Sequence, residues 1–166
     1  MEINCKINPC NTNLDMLNSI YNWIPSSENI RPIEDIINKK DVDYKTYNIL
    51  YSTNIDQILI RYFNYPKKFN RINNKFESKF SINEIKQKKF IENEYPYSVP
   101  KNTYHYIMWY TYDNISDEQI TKDIYSELYN KLNNSNFEFV WYKNPKMSIP
   151  EIFHVQVFWH INYQSF

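Results

Sequence analysis

Three histidines, His105, His154 and His160, are the side chains of this 166-residue chain whose ordinary pKa lies nearest neutrality. Two stand inside apolar runs, Tyr104-His105-Tyr106-Ile107-Met108-Trp109 and Phe153-His154-Val155-Gln156-Val157-Phe158-Trp159. Such runs read as strands, in which alternate residues share a face. On the second run Phe153, Val155, Val157, Trp159 and Ile161 form one face, expected to be core. Ile152, His154, Gln156, Phe158 and His160 form the other, which carries a polar stripe. His154 and His160 are six positions apart, roughly 20 Å along a strand, so they cannot ligate one metal. His154 and Gln156 are roughly 7 Å apart and can line one pocket. If His105 meets them across a sheet, two imidazoles and an amide converge near Asn144 and Ser148. Such a pair can serve as acid and base, or grip a phosphate. His105 and His154 are therefore the catalytic candidates. Asn93, Tyr97, Trp109, Trp141, Asn144, Ser148 and Gln156 are the ligand-binding candidates. The competing reading of the histidines is burial with a structural hydrogen bond, and that of Trp109 and Trp141 is core packing. No metal and no cofactor is expected.

The elements that must position these residues are legible in outline. A helix is expected from a cap at Thr12 through Leu14, Leu17, Tyr21 and Ile24, stopped by Pro25. Arg31-Pro32 opens a short helix, with Pro at its first position. Residues 43–51 continue helically, and Asn54 with Gln57 resembles a capping box for a helix ending before Pro66. Tyr104–Tyr112 reads as a central strand, because both of its faces are apolar or aromatic. Ser116-Asp117-Glu118-Gln119 is the clearest capping box in the chain. It starts a helix with Ile120, Ile124, Leu128 and Leu132 in line. Phe137–Tyr142 and Ile152–Ile161 are the remaining strands. The fold class is α+β: N-terminal helices packed on a small mixed or antiparallel sheet, with a strand–helix–strand–strand C-terminal half and the helices together on one side of the sheet. Residues 1–166 are expected to form a single domain.

Composition narrows the function classes. Lys and Arg number 19, Asp and Glu 19, for a net charge of +0, so no global field draws the chain to nucleic acid or membrane. The charges are unevenly spread. Residues 67–89 hold eight Lys and Arg against two Glu, with Phe69, Phe76 and Phe80 interleaved. We expect a solvated, mobile connector at 67–90. An anion or nucleic-acid patch is the sharper alternative, but no nucleic-acid motif accompanies the charges. Cys5 and Cys10 are expected to be reduced thiols in an intracellular compartment. No signal segment or membrane span is expected, and the expected location is cytoplasmic. Gly is 0 and Ala is absent, with Asn, Ile, Lys and Tyr in their place. This bias is that of an AT-rich genome, such as a giant virus, in which case the compartment is the host cytoplasm. Without Gly, left-handed backbone positions must fall to Asn or Asp.

Asn93–Tyr97, His105–Trp109, Trp141–Pro145 and Glu151–Val155 together resemble motifs of a domain family without an assigned activity, whose fungal members are called N-acetylglucosamine-induced proteins. The family pattern is Asn-x-aromatic-Pro-Tyr, then His-x-(Val/Ile)-x-Trp, Trp-Phe-x-Asn, a Ser-Val stretch and His-x-His-Val. Asn93, Pro96, Tyr97, His105, Trp109, Trp141, Asn144, Ser148 and His154 stand at matching places. Arg31-Pro32 and the Tyr-rich stretch 44–63 are also similar. Two departures stand out: Ile152 occupies the place of the first His of His-x-His, and the loop from Asn144 to His154 is shorter. The resemblance implies a fold and a set of positions, not a reaction. The function expected from residues and resemblance together is binding of a phosphorylated small molecule, a nucleotide or nucleotide sugar, with hydrolase or transferase activity as its catalytic form. The alternatives are a non-catalytic viral domain binding a host or viral protein, and nucleic-acid binding through the basic segment.

Overall fold

The structure, a computed structural model, describes residues 17–19, 21, 23–24, 32–133, 136–144 and 147–162. Thr12, both cysteines, Pro25, Arg31 and Pro145 lie outside the described residues. The elements run α1 (Glu34–Leu50), α2 (Asn54–Phe63), β1 (Lys67–Asn70), β2 (Lys75–Ser78), β3 (Lys88–Glu92), β4 (Thr103–Tyr110), α3 (Asp117–Lys131), β5 (Phe137–Tyr142) and β6 (His154–Ile161). A four-stranded antiparallel sheet has the order β3-β4-β6-β5, and β1-β2 is a separate hairpin. This is the α+β class that the alternation of patterns indicates. No helix among the described residues is long and apolar enough to cross a membrane.

Register divides the sheet into two unlike faces. Tyr106, Met108 and Tyr110 of β4 share a face with Val155, Val157 and Trp159 of β6 and with Phe139 and Trp141 of β5. Ile120, Ile124 and Leu128 of α3, each fully buried, close over that face as one apolar cluster. Ser116 caps α3 as expected, its side chain accepting from the Gln119 backbone N–H, while Asp117 and Glu118 face the positive end of the helix dipole.

The opposite face is covered in two pieces. At one end Ile58, Leu59 and Phe63 of α2 pack on Ile107 and Trp109 together with Ile149 and Ile152. At the other, Leu17 and Ile24 pack on Val140, Tyr142 and Phe158. Helices therefore cover both sides of the sheet, not one side as expected from sequence. The polar stripe of β6 runs between the two clusters, and the site lies there.

Several local expectations are corrected. The two N-terminal helical segments are one 17-residue helix, α1, with Ile33 at its N-cap. Pro32 therefore precedes the cap and does not occupy the first helical position. The box before α2 is shifted by one residue: Thr53 is the cap, accepting from the Asp56 N–H. The 67–90 segment is not a connector but holds three strands, β1 to β3. Its hairpin docks on the α1–α2 junction through Ser52 N–H to the Phe76 carbonyl at 3.0 Å and Ser78 N–H to Asp56 at 2.8 Å. Ser81–Glu84 closes a turn, with Glu84 accepting from the Ser81 N–H, and no helix follows. The absence of Gly has the foreseen effect. Asn64, Asn74, Asn83, Asn102, Asn114 and Asn133 are the described residues with positive φ, between 50° and 69°. Asn tolerates that region best after Gly.

Candidate ligand-binding site

A cavity of about 110 Å³ opens in the seam between the two clusters. β4 contributes Ile107 and Trp109 to its wall, β6 contributes His154 and Gln156, and the segment after β3 contributes Asn93, Tyr95 and Tyr97. The loop before β6 adds Asn144, Ser148 and Ile149, and the helices add Lys40, Tyr44, Ile58 and Tyr62. Of the nine residues selected from sequence, seven line this cavity: Asn93, Tyr97, Trp109, Asn144, Ser148, His154 and Gln156.

His154 is held as a neutral base. Its ring stacks on Trp109, centroids 4.3 Å apart, and its Nδ1 lies 2.9 Å from the Ile152 carbonyl oxygen. A carbonyl only accepts, so Nδ1 carries the proton and Nε2 keeps its lone pair. Burial lowers the imidazole pKa, outweighing that carbonyl contact. Among the described residues His154 makes no further side-chain hydrogen bond, so Nε2 is the acceptor it has to offer.

His105 does not reach the cavity. It is opposite Phe158 while His154 is opposite Trp109, so the two rings share a sheet face but sit four positions apart, roughly 13 Å. The expected acid–base pair is therefore not assembled. His105 is 2% exposed, and burial drives its pKa down to about 4. Both ring nitrogens are engaged. The Tyr97 backbone N–H points at Nδ1 from 3.1 Å, and the Asn93 amide nitrogen is 3.4 Å away. A backbone N–H can only donate, so Nδ1 must accept and the proton must reside on Nε2. Nε2–H then donates to Gln156 Oε1 at 2.5 Å. This fixes the Gln156 amide: its oxygen faces His105, and its NH2 is the group left for the cavity. His105 is thus a positioning residue, and the Tyr97 backbone sets the orientation of Gln156 through it.

Trp141 is corrected outright. It stands opposite Val157, on the face covered by α3, is fully buried, and donates from Nε1 to Thr121 Oγ1 at 2.9 Å. It is core. His160 stacks on Trp23 at 4.4 Å and lies 2.9 Å from Glu138 through its Nε2.

Sequence reasoning missed Lys40. Its Nζ lies 3.2 Å from Ser148 Oγ and within 5.8 Å of the Tyr44 and Tyr95 ring centroids. Burial pushes its pKa below the usual lysine value, against the opposing pull of Asp41. A signal was present: Lys40 occupies the helical repeat between Ile36 or Ile37 and Tyr44, a cation set into an apolar stripe. Two of the nearby carboxylates are already satisfied. Glu94 accepts from Arg61 at 2.7 Å and Tyr62 at 2.6 Å, and Asp43 from Lys39 at 2.8 Å and Tyr95 at 2.9 Å. These pairs hold Tyr62 and Tyr95 at the wall. The Trp109 indole N–H is buried without a partner among the described residues. No group of three or more His, Cys, Asp or Glu among them could hold a metal ion. No family model, curated protein or solved structure matches the chain.

Proposed function

We propose that the chain binds a phosphorylated small molecule, a nucleotide or nucleotide sugar, in this cavity. The observation that carries the reading is Lys40. A half-buried ammonium stands beside the cavity with a hydroxyl as its hydrogen-bond partner; Asp43 and Glu94 are paired elsewhere, and Asp41 attracts it without forming an ion pair. Burying a charge is unfavourable unless it is paired, and an anionic ligand supplies the missing partner. The Gln156 NH2, oriented by His105, adds a neutral donor on the same cavity. The resemblance to the N-acetylglucosamine-induced family supports the location, since Asn93, Tyr97, Trp109, Asn144, Ser148 and His154 of its motifs line one cavity.

The test is thermal shift against a panel of nucleotides and nucleotide sugars, with Lys40→Met and His154→Ala as controls. A ligand at 100 times its Kd stabilises the native state by about 2.7 kcal/mol. We expect a rise in Tm for wild type and none for Lys40→Met; a flat response of wild type to the whole panel would end the reading. The free Nε2 of His154 favours a second, catalytic form, in which a bound ester is hydrolysed or transferred with His154 as base. In that form His154→Gln abolishes turnover and retains binding; unchanged turnover in His154→Gln would reject it.

A further inference from the structure

We infer that the ligand is bipartite, with its phosphoryl group in the inner cavity and a nucleoside in a second groove that joins it. This rests on the phosphoryl-binding reading above and names the rest of the molecule. The inner cavity, at about 110 Å³, is smaller than a cavity of about 150 Å³ that takes one benzene ring, so it holds a group of a few heavy atoms. A whole nucleotide does not fit. A second cavity of about 380 Å³ shares Pro32, Lys40, Tyr95 and Tyr97 with the first and extends along α1. The two are therefore one continuous site with Lys40 at the junction.

The chemistry of the two halves differs. The inner half has amides and a hydroxyl, which can donate to phosphoryl oxygens, and an imidazole nitrogen, which can accept from a protonated phosphoryl oxygen or a hydroxyl. The outer half is walled by Ile36, Ile37, Pro32 and two tyrosines, with Asp41 its one acidic group. Ile37 is 44% exposed there, an aliphatic side chain in contact with water. Apolar and aromatic walls favour a flat ring over a second charged group. Asp41, for which no hydrogen bond or ion pair is found among the described residues, can accept from a sugar hydroxyl or an exocyclic amine. A nucleoside has all three features: a flat ring, hydroxyls and an attachment to phosphate. A bare sugar phosphate lacks the ring.

The experiment compares inorganic phosphate, ribose 5-phosphate and a panel of the four common nucleoside monophosphates by isothermal titration. It uses the wild-type chain and the double variant Ile37→Gln, Asp41→Asn, whose sites are exposed on α1. We expect at least one nucleotide to bind wild type tenfold or more tighter than ribose 5-phosphate. The double variant should lose that advantage and bind nucleotide no tighter than ribose 5-phosphate; a retained advantage would overturn the bipartite site. Equal affinity for nucleotide and ribose 5-phosphate in wild type would overturn the bipartite site and leave the phosphoryl reading standing. Absence of binding by every phosphorylated probe would overturn both. Circular dichroism of the variant checks that its fold is intact, and Lys40→Met, expected to weaken all phosphorylated probes alike, supplies an independent variant.

Discussion

His105 acts on the site without touching it. Its neutral tautomer is dictated by the Tyr97 backbone N–H, and the tautomer in turn dictates which end of the Gln156 amide faces the cavity. Gln156→Glu tests the arrangement. The carboxylate would still accept from His105 Nε2 but would present an acceptor where the amide presents NH2. We expect affinity for an anionic ligand to fall at least tenfold in titration, and the His105 pKa to rise from about 4 in an NMR titration, because a nearby negative charge favours imidazolium. The alternation of β6 is enough by itself to place His154 and Gln156 on one face, since strand geometry leaves two choices. Trp141 was misplaced because a strand with two apolar faces does not reveal which side is core. Lys40 was missed because its role depends on where α1 docks, which no local pattern encodes.

The capping box before α3 and the strands β4, β5 and β6 were readable because each carries a dense local signal. β3 was not, because Lys88 and Lys89 mask a half-buried strand whose apolar residues are Phe90 and Ile91. Lys88 is in fact an anchor. Its Nζ lies 2.6 Å from Asp123 Oδ1, and Gln119 and Tyr110 also donate to that carboxylate at 2.8 and 3.0 Å. Asp123 is 3% exposed. Asp123→Ala strands these donors, and we expect a loss of about 3 kcal/mol, toward the low end for a buried pair because Lys88 remains partly solvated. Chemical denaturation checks it; a loss under about 1 kcal/mol would show that water replaces the carboxylate. The helix stop at Asn64, φ 55°, gives a second element-scale prediction. Asn64→Ala should cost about 1 kcal/mol, or about 3 °C in Tm, while Asn64→Gly should be near neutral, since only the former penalises a left-handed backbone.

Over the whole molecule, the buried histidines couple stability to pH. His105 has an ordinary pKa of 6.5 when unfolded and about 4 when folded. Between those values the unfolded chain binds the extra proton, so stability is complete above about pH 6.5 and falls as pH drops toward 4. At one pKa unit per 1.36 kcal/mol, the loss approaches about 3 kcal/mol by pH 4. His154 shifts in the same direction and adds to it. Denaturation midpoints at pH 7.5 and 5, compared with His105→Gln, test this; an equal decline in the variant would remove His105 as its source.

Helix α1 contains no fully buried residue, yet it carries Lys40, Ile36 and Ile37 of the proposed site. An element held by partial contacts unfastens at lower free energy than the sheet beneath it. Backbone amides of α1 should therefore trade hydrogen for deuterium sooner than those of α3, whose apolar face is sealed. An occupant clasping Lys40 would slow that trade in α1 first, which makes this one helix the place where occupancy registers before any change in the core.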